Sequence, residues 1–121
     1  MARVALLGFP QDLASQLSKI LLGEGHAVDQ KHYIQDLSKR YRPGVVFVCA
    51  DTPGFEDTIS ALKDAEPGLP FVVTTRMPDP TQWLNALDAG AADYCGAPFE
   101  PVQVRWVMAS IERHQATPVA A

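Results

Sequence analysis

Cysteine, histidine and a strand-end threonine are the residue types here with the most chemistry to offer, and their spacing organises little of it. The chain of 121 residues has two cysteines, Cys49 and Cys95, each set inside an apolar segment. A thiol becomes a nucleophile when nearby cations or a helix N-terminus lower its pKa, and apolar surroundings do the reverse. Inert packing is therefore the expectation for both, since cysteine is among the most commonly buried small residues. The pair forms no metal-ligand spacing. His26, His32 and His114 fall on different elements, share no ligand spacing and are expected at the surface. No glycine-rich phosphate loop is present: Gly8 is lone, and Gly23 and Gly25 follow a helical pattern instead of opening one. Thr75 closes an apolar run, where a hydroxyl usually satisfies a turn. No enzyme, metal or cofactor is expected from this set.

The elements that must position these residues alternate in type. Short apolar runs of strand length fall at residues 4–7, 45–49 and 71–75, with weaker runs at 27–31 and 92–96. The run at 45–49 is continuously apolar, the pattern of a strand buried on both sheet faces. Between the runs lie amphipathic segments. Leu13, Leu17, Ile20 and Leu21 share one face of a helix over about 12–22, and Gly23 and Gly25 stop it. Ile34, Leu37 and Tyr41 mark a short second helix, closed before Pro43. Phe55, Ile59 and Leu62 form the inner stripe of a third, which Pro67-Gly68 ends. Asp79-Pro80 opens a fourth, with aspartate as cap and proline in the first turn. That helix carries Trp83, Leu84 and Leu87 and stops at Gly90. Glu100-Pro101 opens a fifth, reaching about His114. One domain over residues 1–114 is expected, with 115–121 as a flexible tail or linker stub. Five strands alternating with five helices predict an α/β fold with a mostly parallel sheet covered on both faces.

Bulk composition excludes several function classes. Hydrophobic residues at 47% and charged residues at 20% are ordinary for a globular domain and argue against disorder. A formal charge of -4 leaves no broad basic field for a nucleic-acid backbone. The densest basic stretch, residues 39–42, suits a solvated helix end. No apolar run approaches the roughly 18 residues that suggest a membrane span. The apolar start is short and leads into Pro10-Gln11-Asp12, not into a small-residue cleavage site. A cytoplasmic location, with reduced thiols, is the expectation.

Residues 86–99, ALDAGAADYCGAPF, resemble the closing segment of two-component response-regulator receiver domains, where an Ala-Gly-Ala-x-x-Tyr run precedes Lys-Pro-Phe. Residues 69–75 are similar to that family's fourth strand, which ends in a hydroxyl residue, and 43–54 to its third strand and Pro-Gly turn. The resemblance covers roughly residues 3–111. It implies a flavodoxin-like doubly wound sheet in the order 2-1-3-4-5, with the functional face at the strand C-termini. In that order the strands carrying Cys49 and Cys95 flank the fourth, about 9–10 Å apart, too far for a disulfide.

The family's chemistry, as the resemblance implies it, needs an acidic pair after the first strand and an acceptor aspartate ending the third. These carboxylates hold a divalent cation, while a lysine on the fifth strand and a hydroxyl on the fourth contact the phosphoryl group. The matching positions here are Gly8 and Phe9 for the acidic pair, Cys49 for the acceptor and Ala97 for the lysine. Thr75 matches the hydroxyl, and Tyr94 the aromatic that commonly reports the switch. Without the carboxylates a hard cation has no charged cage, and cysteine in the acceptor position removes acyl-phosphate chemistry. Asp51, two residues beyond the acceptor position, and Asp12, three beyond the pair, are the nearest acids; the Pro53-Gly54 turn already fits without shifting Asp51 into the acceptor role. Phe9 is expected to plug the place of the metal. The expectation is a degenerate receiver that does not accept phosphate.

The fifth helix adds an interaction argument. At 100° per residue, Val104, Val107, Met108 and Ile111 form its core stripe, while Val102, Trp106 and Ala109 face the opposite way. A tryptophan exposed beside small apolar residues suits a binding patch. Trp83 stands at the margin of the fourth helix's stripe. The resemblance implies pairing through the surface of helix four, strand five and helix five, with a protein partner or a second copy. The preferred reading is a phosphorylation-independent signalling module with no nucleic-acid or membrane partner of its own. Its rival is a small-molecule or redox sensor using an apolar strand-end pocket lined by Phe9, Cys49 and Ala97.

Overall fold

The computed structural model describes residues 2–37 and 43–116, with backbone alone at 114–116. Five strands, β1 (Arg3–Leu7), β2 (Ala27–Lys31), β3 (Val45–Cys49), β4 (Phe71–Thr75) and β5 (Asp93–Gly96), form one sheet in the order β2-β1-β3-β4-β5. All four pairings are parallel. The helices are α1 (Gln11–Gly23), α2 (Phe55–Ala65), α3 (Pro80–Asp88) and α4 (Pro101–Ala116). This is the doubly wound, flavodoxin-like arrangement.

Side-chain alternation along the strands explains the two layers. Every residue of β3 and β4 is buried, as central strands covered on both faces require. Successive side chains point to opposite faces. Val4, Leu6, Val45, Phe47, Cys49, Val72 and Cys95 therefore join the core beneath α1 and α4. Ala5, Leu7, Val46, Val48 and Val73 join a second core beneath α2 and α3. In the first layer Leu13, Leu17 and Leu21 are fully buried, each stabilising the fold by about 1.5–3 kcal/mol. Val104, Val107, Met108 and Ile111 pack there from α4, on the stripe that the sequence predicts.

Three features differ from the sequence expectations. A single 3₁₀ turn at Ile34–Asp36 stands where the sequence predicts a short second helix. Tyr33 and Asp36 close that turn on themselves: Asp36 N–H donates to the Tyr33 carbonyl, and Tyr33 N–H donates to the Asp36 carboxylate. Tyr41 and the basic stretch 39–42 lie outside the described residues. Second, α3 buries only Ala86; Leu84 and Leu87 are 58% and 39% exposed, while Trp83, placed at the margin of the stripe and among the interface candidates, is 48% exposed. The small side chain faces the core, and the large ones turn outward. Third, Ala109 is half-buried in a shallow depression beside Glu24 and His26, which follow α1. Of the outer set on α4, Val102 and Trp106 alone are well exposed, at 57% and 65%.

The histidines also divide. His32 is exposed, whereas His26 is half-buried and its Nδ1 accepts from the Ala2 N–H at 3.1 Å. The side chain of His114 lies outside the described residues, as do residues 117–121.

Candidate functional site

The strand C-termini bring together the positions that the sequence singles out. β1 runs into Gly8 and Phe9, β3 ends at Cys49, β4 ends at Thr75, and β5 leads to Ala97. Parallel register sets their spacing: Cys49 lies beside Thr74, and Thr75 beside Gly96. Backbone bonds continue past the strands, from Ala50 N–H to the Thr74 carbonyl and from Ala97 N–H to the Thr75 carbonyl. The Ala97–Pro98 peptide bond is cis. Gly8 turns the chain out of β1 at φ +70°, a left-handed conformation that side chains disfavour. Its carbonyl accepts from the Thr52 hydroxyl at 2.8 Å, tying the β1 end to the loop after β3.

Phe9 and Ala97 are partly buried and pack against the α1–α4 core, of which Cys49 is itself a member. The three apolar side chains thus belong to one layer. One groove of about 610 Å³ lies between α2 and α3, with Ala50, Phe55, Ile59, Gln82 and Ala86 among its walls, and another of about 600 Å³ adjoins the ends of β1 and β3, with Gly8, Tyr33, Cys49, Thr52 and Phe55 among its walls. Cys49 and Cys95 are both free and buried. Burial pushes the Cys49 thiol above its ordinary pKa and that of Cys95 up to about 12, the reverse of what a reactive thiolate needs.

A polar network that sequence reasoning missed closes the site. Asp51, in the loop after β3, accepts from two donors at once. The Thr75 hydroxyl reaches Oδ1 at 2.8 Å, and the Arg76 N–H reaches Oδ2 at 2.7 Å. The Cys49 thiol lies 4.0 Å from Oδ2. Arg76 then extends its guanidinium to Asp12 in the first turn of α1, in a bidentate pair of 2.5 and 2.6 Å. The hydrogen bond from Arg76 holds the Asp12 carboxyl below its ordinary pKa of 3.8. Both acids nearest the family's acidic positions are thereby engaged with donors of this chain.

The donor set does not fit a divalent cation. Such an ion needs several oxygen ligands, preferably carboxylates; Gly8 and Phe9 supply no side-chain oxygen and Cys49 supplies a thiol. Among the described residues no group of three or more His, Cys, Asp or Glu side chains could hold a metal ion.

Tyr94 is docked against α3. Its hydroxyl accepts from Asp79 N–H at 3.3 Å and donates to Gln82 Oε1 at 2.5 Å, and burial raises its pKa. Around it, Pro78, Trp83, Gly96 and Gln103 line a shallow groove of about 400 Å³ that spans α3, β5 and α4. The candidate interface residues Trp83, Val102 and Trp106 stand exposed on these two helices. No helix among the described residues is long and apolar enough to cross a membrane.

No family model matches the chain. It is 28% identical over 122 residues to the DNA-binding response regulator MtrA of Mycolicibacterium smegmatis, a match covering 96% of the chain and 53% of that protein. The chain thus spans about half the length of this curated relative. Among solved structures, it superimposes on the Francisella response regulator 1452 receiver domain with a TM-score of 0.78, at 13% identity, over 94% of this chain and 99% of that one. A response regulator receiver domain protein from Clostridium thermocellum gives a TM-score of 0.80 at 15% identity, over 95% and 98% of the two chains. These structures show the receiver fold, and the relative's name supports the same family resemblance.

Proposed function

We propose that this chain is a receiver-type module of a two-component or related regulatory pathway that acts through protein–protein contact without being phosphorylated. One observation carries the reading. Where a receiver site would hold a cation and a phosphoryl group, this chain has Gly8, Phe9, Cys49 and Ala97, and its Thr75 hydroxyl is already bonded to Asp51. The relative is named a response regulator, which supports the pathway class. Its name also says DNA-binding; a formal charge of -4 argues against this chain supplying that contact.

The contact surface in this reading is the α3–β5–α4 face, where Trp83, Leu84, Val102 and Trp106 are exposed. A protein partner or a second copy of the chain would cover it. The two free thiols suit a reducing compartment such as the cytoplasm. The rival sensor reading draws on the groove of about 600 Å³ that Gly8 and Cys49 line, although Phe9 and Ala97 are not among its walls.

Magnesium gives the test. A cation bound to the folded state raises the unfolding midpoint by mass action. Urea unfolding with and without millimolar magnesium is expected to give the same midpoint. A clear rise with magnesium, abolished by Asp51→Asn, would show a seated cation and contradict the reading.

A further inference from the structure

We infer that Asp51, Thr75, Arg76 and Asp12 form a latch that holds the loop between β4 and α3 in one setting and, through Tyr94, fixes where α3 presents its apolar residues. This inference goes beyond the proposed function and is independent of any partner.

Thr75 is 1% exposed, so its hydroxyl needs an internal partner. It donates to Asp51 and accepts from the Met77 N–H at 3.2 Å, which draws the loop backbone over it. The adjacent Arg76 N–H points at the second Asp51 oxygen. A hydroxyl and a neighbouring N–H converging on one site form an anion receptor, and the chain fills it with its own carboxylate. From the other side, the two bonds from Arg76 to Asp12 tie the same residue to α1. Residues 75–77 are therefore held by the β3 loop and by α1 together.

The next residues pass that constraint to α3. Pro78 packs on Gly96 so closely that a Cβ there would stand 2.1 Å from Pro78 Cγ. Asp79 N–H donates to the Tyr94 hydroxyl, which donates in turn to Gln82 on the first turn of α3. Asp79 also caps the helix by accepting from Thr81 N–H at 2.8 Å. An unbroken run of contacts thus leads from Asp51 to the helix that exposes Trp83, Leu84 and Leu87. Because the carboxylate belongs to the chain itself, the setting needs no modification to form it.

Residue-resolved amide hydrogen exchange on the full chain tests the latch. With Asp51→Ala, exchange at Arg76, Met77, Asp79 and Trp83 is expected to speed by roughly fivefold or more, as loss of a hydrogen bond to a charged group allows. Leu6 and Phe47 in the central strands keep their rates. Thr75→Val, which keeps the branched shape and loses the hydroxyl, is expected to act on Asp79 and Trp83 in the same direction, and it serves if Asp51→Ala fails to fold. The double variant is expected to exchange little faster than either single one, because both break one linkage. Unchanged rates at Asp79 and Trp83, rates that rise equally in the central strands, or fully multiplicative effects in the double variant would each overturn the latch.

Discussion

Helices α1 and α3 carry similar apolar patterns yet meet the sheet in opposite ways. In α1 the leucines at 13, 17 and 21 vanish into the core. In α3 the small Ala86 faces inward, while Trp83, Leu84 and Leu87 stand in solvent. Periodicity identifies a stripe, but the seating of the helix on the sheet decides which side chains of the stripe are buried. A helix that buries its smallest residue and displays its largest has a surface suited to contact, whereas α1 turns its leucines inward save Leu22, which is exposed near its end. Helix α4 combines both behaviours, with Val104, Val107, Met108 and Ile111 inside and Trp106 outside.

The largest effect that sharpens this contrast comes from matched truncations. Leu17→Ala is expected to lower stability by about 2–5 kcal/mol, because it leaves a cavity in a filled layer. Leu84→Ala is expected to change it by no more than about 0.5 kcal/mol, as exposed substitutions do. Urea unfolding of both variants checks this, and equal losses would erase the distinction between the two helices.

Next in size is Gly96→Ala. The added methyl meets the Pro78 ring, which cannot rotate away, so the loop before α3 must move. A loss of about 1–3 kcal/mol is expected, typical of overpacking. The change should also alter Trp83 fluorescence in a Trp106→Phe background. A shift in stability without a shift in emission would mean that α3 is not coupled to this contact.

Smallest in stability, but largest in association, is Trp106→Ala. It should leave the unfolding midpoint within about 0.5 kcal/mol of the parent. Partner binding or self-association is expected to weaken roughly tenfold or more, the loss usual for an interface tryptophan. A marked loss of stability with unaltered association would place Trp106 on the structural side of the comparison.

The sheet was largely legible from sequence. The continuous apolar run at Val45–Cys49 and the run Phe71–Thr75, apolar up to its two threonines, coincide with β3 and β4 residue for residue, because both faces of a central strand are buried. Even the weak run Ala27–Lys31 is β2. At β5 the prediction starts one residue early: Ala92 N–H already bonds to Phe71 across the gap, but pairing begins at Asp93. The exposure of Leu84 and Leu87 on α3 was not legible, since hydrophobicity alone favours burying leucine.

The empty acidic positions at the strand ends could be counted in the sequence, but the network that replaces them could not. Arg76 lies 64 residues from Asp12 and 25 from Asp51, and nothing local links them. The one available cue was that acids near vacated positions, Asp12 and Asp51, need some partner. That a backbone N–H and a buried hydroxyl would meet Asp51 depends on the register of β3 against β4, which appears only once the sheet is assembled.

Intact-mass spectrometry of the native chain after incubation with acetyl phosphate and magnesium tests the central claim most directly. An unchanged mass is expected, because neither Cys49 nor Asp51 combines a free carboxylate with a cation and a lysine. A gain of one phosphoryl group, mapped to the strand ends and removed by Asp51→Asn, would contradict the account.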